Sequence, residues 1–215
     1  MHLALYCPVY GYYEKEKDNL GRRGDFFTSV SVGALFGELL AFQFATWLDE
    51  LAASGAELAL VEAGAHDGRL ARDILACLHQ HRAELFSRLN YFIVEPSERR
   101  RQWQAEALAE FAPRVRWVPR CRELTMSGGV RGIVFANELL DALPVHRMGW
   151  DARKKTWFEW GVALRDDEFV WTRMPGRDVS PEASARLFPD MPAMLWEVLP
   201  DGFITELCPA AADWW

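Results

Sequence analysis

The sequence predicts an α/β fold: a doubly wound parallel sheet, followed by a smaller antiparallel β region. Two observations predict the first part. Short apolar runs alternate with segments of helical periodicity, and a glycine loop joins the first run to the helix behind it. A third predicts the second part: beyond residue 144 the apolar runs follow one another with only polar turns between them.

Residues 1–24 are turn-rich, with Gly11, Asn19, Gly21 and Gly24. Thr28 and Ser29 are N-cap types. They precede Val32, Leu35, Phe36, Leu39, Leu40 and Phe44, whose spacing predicts a helix over 31–51. Leu58–Glu62 reads as the first strand. Arg69 to about Leu85 repeats Leu70, Ile74, Leu75 and Leu78 at helical intervals. Tyr91–Glu95 is a second strand ending in an acid, and Ser97 caps a helix over 98–110. Val115–Val118 and Gly132–Ala136 are the third and fourth strands. Asn137 and a short helical turn follow, stopped by Pro144. Short, wholly apolar strands between amphipathic helices indicate a sheet covered on both faces. In the last third, Val145–Trp150, Trp157–Leu164 and Phe169–Met174 read as antiparallel strands. Residues 175–193, with Pro175, Pro181, Pro189 and Pro192, read as loop. Met194–Val198 and Phe203–Leu207 read as a final hairpin around Asp201-Gly202.

Composition narrows the function classes. Half the residues are hydrophobic and 26% charged, an ordinary globular balance. No apolar run is long enough to cross a membrane. A net charge of −7 argues against a nucleic-acid partner. Cys7, Cys77, Cys121 and Cys208 are scattered without Cys-x-x-Cys spacing, so no metal site is expected. With no signal-like N-terminus, they predict a cytoplasmic location.

The chemistry centres on Val61-Glu-Ala-Gly-Ala-His-Asp-Gly-Arg-Leu70. Gly64 permits a tight strand-to-helix turn, and Gly68 permits close approach at the helix start. His66 stands where a dinucleotide loop needs its middle glycine, which argues against NAD or FAD. S-adenosyl-L-methionine (SAM) has no pyrophosphate, so the looser pattern serves it. A plain structural turn fits the two glycines as well. Glu95, ending the second strand, is placed to accept ribose hydroxyls, or is a solvated acid at a helix start. In a 3-2-1-4 strand order the sheet reverses between strands 1 and 4. Asn137, Glu138 and Asp141 then face the same crevice as Gly64. Glu138 and Asp141 read as a pair of acids that bind a cationic substrate or take a proton from a nucleophilic nitrogen, or as first-turn acids behind an Asn137 N-cap. Arg99-Arg100-Arg101 reads as a solvated helix face rather than a basic patch, and His66 as a solvated loop residue rather than a cofactor contact.

Four motifs in order resemble the MidA family: Gly24-Asp-Phe-Phe-Thr-Ser29, Phe36-Gly-Glu-Leu39, Val61–Leu70 and Ala136–His146, with Gly11-Tyr-Tyr13 ahead of them. These are bacterial and mitochondrial class I methyltransferases. The mitochondrial members serve as respiratory complex I assembly factors and methylate a protein arginine. The resemblance covers about residues 6–146, and more loosely Gly202–Pro209. It implies a Rossmann-like class I methyltransferase sheet with SAM as cofactor. By resemblance Gly24, Asp25 and Phe26 close over the cofactor's methionine end. Glu62, Gly64 and Gly68 form its loop, and Glu95 is the ribose acid. Asn137 and Glu138 stand near the transferred methyl, and Asp141 is the acid of the Asp-Ala-Leu-Pro element. The chain departs from the family at Ala65-His66-Asp67, where many members have Pro-Gly-Arg, and at Val30-Ser31.

The implied organisation is a cofactor-covering segment (1–30), a SAM-binding core (31–144) and a β-rich insertion (145–215), with strands 5 to 7 absent. Strand 4 is then an open edge. Either the sequence is a piece of a longer chain, or the late β segments or a second copy of the chain, in a homodimer, would cover it. Ten tryptophans, ending in Trp214-Trp215, suit such an interface. The expected function is methyl transfer to a protein side chain, with Asn137, Glu138 and Asp141 as catalytic residues. A degenerate, non-catalytic SAM-binding or assembly protein is the alternative.

Overall fold

The computed structural model describes residues 1–14, 30, 33–51, 57–126, 128–180, 183 and 186–214. The chain divides into two compact units, whose main bodies are His2–Ala142 and Leu143–Asp213.

The first unit is built on strands β1 (Leu58–Ala63), β2 (Leu89–Val94), β3 (Val115–Val118) and β4 (Gly132–Ala136). All pair in parallel, in the order β3-β2-β1-β4. Every residue of β1 is buried, because its side chains are apolar toward both faces save Glu62. Leu58 and Leu60 share one core with helices α2 (Leu35–Leu51) and α3 (Arg69–His81), through Ala41, Phe44, Leu48, Ile74, Leu75 and Leu78. Val61 and Ala63 point the other way, toward Val94 and Leu124. The alternation follows from the two-residue period of a strand.

Three details differ from the sequence reading. A short helix α1 (His2–Tyr6) and a 3-10 turn (Tyr12–Glu14) occupy the turn-rich N-terminus. The helix expected over 69–85 breaks at Arg82, whose φ of −139° and ψ of 51° leave helical space. The Arg82 guanidinium pairs with Asp49 of α2, and α4 (Ala83–Ser87) restarts beyond it. Helix α5 (Glu98–Ala107) is capped by Ser97 as expected, and α6 (Arg122–Met126) was not expected.

The second unit is a separate antiparallel sheet of β5 (His146–Asp151), β6 (Thr156–Arg165), β7 (Glu168–Val179) and β8 (Ile204–Leu207), ordered β7-β6-β5-β8. Strand β7 runs on through Pro175, where loop was expected. As an edge strand it has ladder positions that need no N–H. The expected hairpin of 194–198 with 203–207 does not form. Residues Ala193–Val198 are helix α7, and β8 pairs with β5 instead. The decisive contact is tertiary. Trp196 meets Trp150 and Trp157 edge-on, with ring centroids 5.7 and 6.3 Å away. A last helix, α8, spans Pro209–Trp214. The late strands pair among themselves, so among the described residues β4 remains the sheet edge, with Val134 exposed.

Trp157 is fully buried between Trp150, Phe188, Trp196 and Phe203. Trp157→Ala is expected to cost about 3–5 kcal/mol of stability. Urea unfolding followed by tryptophan fluorescence measures it, and a cost below about 1 kcal/mol would refute this cluster as the unit's core.

Candidate functional site

The parallel sheet reverses its winding between β1 and β4, which opens a crevice at the carboxyl ends of the strands. A cavity of about 190 Å3 lies there. One side is the β1–α3 loop, from Glu62 through Gly64, His66 and Asp67 to Arg69. A second is the corner after β4, with Asn137, Glu138, Leu139 and Asp141. The third is Tyr6, Tyr13 and Arg100.

Gly64 has φ of 73°, a left-handed turn that sends the chain from β1 toward α3. A Cβ on Gly64 would lie 2.7 Å from Leu139 Cδ1. The glycine therefore also lets the β4 corner approach the loop. Gly64→Ala is expected to destabilise the protein by about 1–3 kcal/mol, read by urea unfolding. An unchanged midpoint would show that Leu139 moves aside freely.

Two non-glycine residues on the cavity wall are also left-handed, His66 with φ of 46° and Glu138 with φ of 50°. Each costs on the order of 1 kcal/mol, a strain that tends to gather where a side chain must be aimed.

The loop's acids have contrasting surroundings. Glu62 is buried and accepts a hydrogen bond from the Tyr91 hydroxyl at 2.8 Å. Burial pushes its carboxyl up to about 7; the Tyr91 bond opposes the shift and the charge of Asp67 adds to it. For Asp67, burial raises the pKa but is outweighed by His66 and Arg69, so its carboxyl sits below the usual range. The Arg69 N–H and guanidinium approach it at 3.1 and 2.9 Å. His66 was expected to be solvated. Instead its side chain is 26% exposed, and its Nδ1 is buried 4.0 Å from Asp67 Oδ1, with no hydrogen-bond partner among the described residues.

The cavity brings together Glu62, Gly64, Asn137, Glu138 and Asp141 of the residues expected from the sequence. Gly68 and Glu95 are not among its lining residues. Gly68 is the N-cap of α3, and a Cβ there would lie 3.4 Å from Gln104 Cα, so it spaces α3 against α5. Glu95 is buried behind Gln104 and Arg100. It accepts from the Ser97 N–H at 2.9 Å and from Gln104 Nε2 at 3.4 Å. Burial raises its carboxyl, with Arg100 opposing. Gln104 Nε2 also donates to the His66 carbonyl at 3.0 Å, which ties the β2 end to the glycine loop. Gly24, Asp25 and Phe26 lie outside the described residues.

Tyr6, Tyr13 and Arg100 were not expected here. Of the arginine triplet Arg99 is exposed as expected, but Arg100 is buried, with its Nη2 donating to the Tyr13 carbonyl at 2.7 Å. Arg99 donates to the Glu14 carbonyl, and Arg101 to those of Glu95 and Pro96. Cations in the first turn of a helix oppose its dipole. That conflict was the available sign that these arginines have partners.

A family model described as S-adenosyl-L-methionine-dependent methyltransferase matches residues 39–215. Among curated relatives, protein arginine methyltransferase NDUFAF7, mitochondrial, of Danio rerio is 34% identical over 173 residues, covering 70% of this chain and 40% of the relative. The Drosophila melanogaster homolog is 29% identical over 69% of this chain and 37% of its own. Among solved structures, a COG1565 superfamily member from Burkholderia thailandensis, bound to S-adenosyl-homocysteine, superposes with a TM-score of 0.69 at 34% identity. The match covers 98% of this chain and 51% of that one. The chain thus spans about 40% of the length of these curated relatives and about half of that structure.

Proposed function

The chain belongs to the family of S-adenosyl-L-methionine-dependent methyltransferases, and from that premise we propose that it binds SAM in the cavity between β1 and β4 and methylates a protein side chain, an arginine. The observation that carries this reading is the meeting of the Glu62–Asp67 loop and the Asn137-Glu138 corner on one cavity at the switch point. The arginine is supported by the names of the relatives and by the two exposed acids, Glu138 and Asp141, on the β4 side.

The residues present fit the cofactor. His66 stands where a dinucleotide loop needs its middle glycine, so a dinucleotide is disfavoured. The buried Nδ1 of His66, without a hydrogen-bond partner among the described residues, and the Glu62 carboxyl offer polar contacts on the wall. The described walls enclose about 190 Å3, less than the ~300 Å3 where small-molecule sites usually begin, so they hold only part of such a ligand. When bound, SAM supplies an electrophilic methyl group on a sulfonium. The chain's own work is positional. Gly64 and Gly68 set the loop, Gln104 ties Glu95 to it, and Glu138 and Asp141 pair with a guanidinium and orient one nitrogen.

Titration calorimetry with SAM, S-adenosyl-homocysteine and NADH tests the cofactor, and methyl transfer to arginine-containing peptides tests the reaction. Binding of the first two without the third is expected. NADH binding without SAM binding would overturn the proposal. SAM binding with no transfer to any protein in an extract would favour the non-catalytic alternative.

A further inference from the structure

The segment from His2 to Glu14 is fastened at both ends to opposite sides of the cavity. At one end the Tyr6 hydroxyl donates to the Ala142 carbonyl at 2.6 Å, in the turn that carries Asp141. At the other, Arg100 donates from Nε and Nη2 to the Tyr13 carbonyl at 3.3 and 2.7 Å. Arg99 and Ser97 hold Glu14 by its carbonyl and its carboxylate, at 2.7 and 3.1 Å. Between these anchors the Tyr6 and Tyr13 rings stack at 5.4 Å and 26°, and Arg100 lies over Tyr13 at 5.3 Å from its centroid. Arg100, Tyr13, Tyr6 and Ala142 thus form one ladder. It runs from the helix after β2 to the turn after β4, past the β1 loop, and Tyr6, Tyr13 and Arg100 all line the cavity.

We propose that Arg100 and Tyr6 are positioning residues that hold the 2–14 segment across the cofactor cavity as a fixed wall, so that ligand enters and leaves at a rate the ladder sets. The inference rests on the cavity being the cofactor site. Arg100 suits the part because a planar fork can grip a carbonyl twice while stacking on a ring, which an ammonium cannot do. Gly11 makes the fold of the segment compact. A Cβ there would lie 2.4 Å from the Cys7 nitrogen and 2.6 Å from its oxygen. The Gly11 N–H bonds to that same oxygen at 2.7 Å.

The test uses the whole chain in two arms. Native-state hydrogen exchange reads the wall without ligand. In Arg100→Lys, Tyr6→Phe and Gly11→Ala, the amides of Cys7, Gly11 and Glu14 should exchange about tenfold faster, while those of β1 and β2 keep their protection. Stopped-flow binding of S-adenosyl-homocysteine reads the passage. Its association rate should rise by about tenfold, because a wall limits entry, whereas loss of a ligand contact raises mainly the dissociation rate. Arg100→Lys with Tyr6→Phe should do no more than either alone, since both break one ladder. Unchanged exchange in the three variants would overturn the proposal. So would a Kd weakened more than tenfold in Arg100→Lys at an unchanged association rate, which would make Arg100 a direct ligand residue. A wild-type chain that fails to bind S-adenosyl-homocysteine would instead overturn the cofactor reading, with the exchange arm still deciding the wall.

Discussion

On the proposed function, Glu138→Gln is expected to lower the rate of methyl transfer by about 10²- to 10³-fold and to leave SAM affinity within about twofold. The expectation follows from where Glu138 stands. It follows β4, lines the cavity and is exposed, with a left-handed backbone that glutamate adopts only at a cost. A guanidinium is planar and keeps its charge at any working pH, so a nitrogen becomes nucleophilic only when its proton is drawn toward an acceptor. A carboxylate can orient that nitrogen and take the proton; a carboxamide of the same shape keeps the size and loses the charge. Glutamine should therefore spare the fold and the cofactor and remove the chemistry.

Glu138→Gly sharpens the test. At φ of 50° glycine relieves the backbone strain. The variant should be as stable as the wild type or gain up to about 1 kcal/mol, while turnover is lost. Chemical denaturation and methyl-transfer assays on the same preparations separate the two effects. Turnover within threefold of wild type in Glu138→Gln would remove Glu138 from the mechanism. Intact transfer in both variants would move the proton acceptor to Asp141, the other exposed acid on that wall.

The parallel sheet was legible because each strand is short, apolar and bounded by a turn or helix start, and the loop and corner residues carry local signals of their own. Residues 194–198 were misread for a physical reason. Met-Leu-Trp-Glu-Val suits a strand or a helix equally over so few residues, and the choice was made by Trp196 packing on Trp150 and Trp157. The third wall of the cavity was hidden for another reason. Arg100 meets Tyr13 across 87 positions and Tyr6 meets Ala142 across 136, and no periodicity encodes such pairs. Glu95 was placed as the last residue of its strand and stands one residue beyond it, since β2 ends at Val94; its environment was not legible at all. The buried network of Gln104, Trp117 and the His66 carbonyl that turns it inward arises only when α5 packs on the sheet.

Glu62→Gln flattens the pH dependence of stability between pH 5 and 8. Glu62 is wholly buried beneath the loop, and burial holds its carboxyl up at about 7 against the Tyr91 hydrogen bond, with Asp67 adding to the rise. Its ordinary value is 4.5, so the folded state binds this proton more tightly than the unfolded chain does. The stability it contributes is therefore complete below about pH 4.5 and lost as pH rises through about 7. Across that window the loss is on the order of 3 kcal/mol. Glutamine resembles the protonated carboxyl, still accepts from Tyr91, and does not titrate. The variant should be more stable than the wild type by about 1 kcal/mol at pH 5, and by on the order of 3 kcal/mol at pH 8. Urea midpoints at half-unit steps of pH, without cofactor, measure the divergence. Parallel profiles would mean that Glu62 is already ionised in the folded protein at pH 5. On the proposed placement of SAM in this cavity the divergence should shrink when SAM is added, because a positive charge near Glu62 favours the carboxylate and lowers its pKa. S-adenosyl-homocysteine lacks the sulfonium charge and should shrink it less. The difference between the two ligands then reports how close Glu62 lies to the reacting centre.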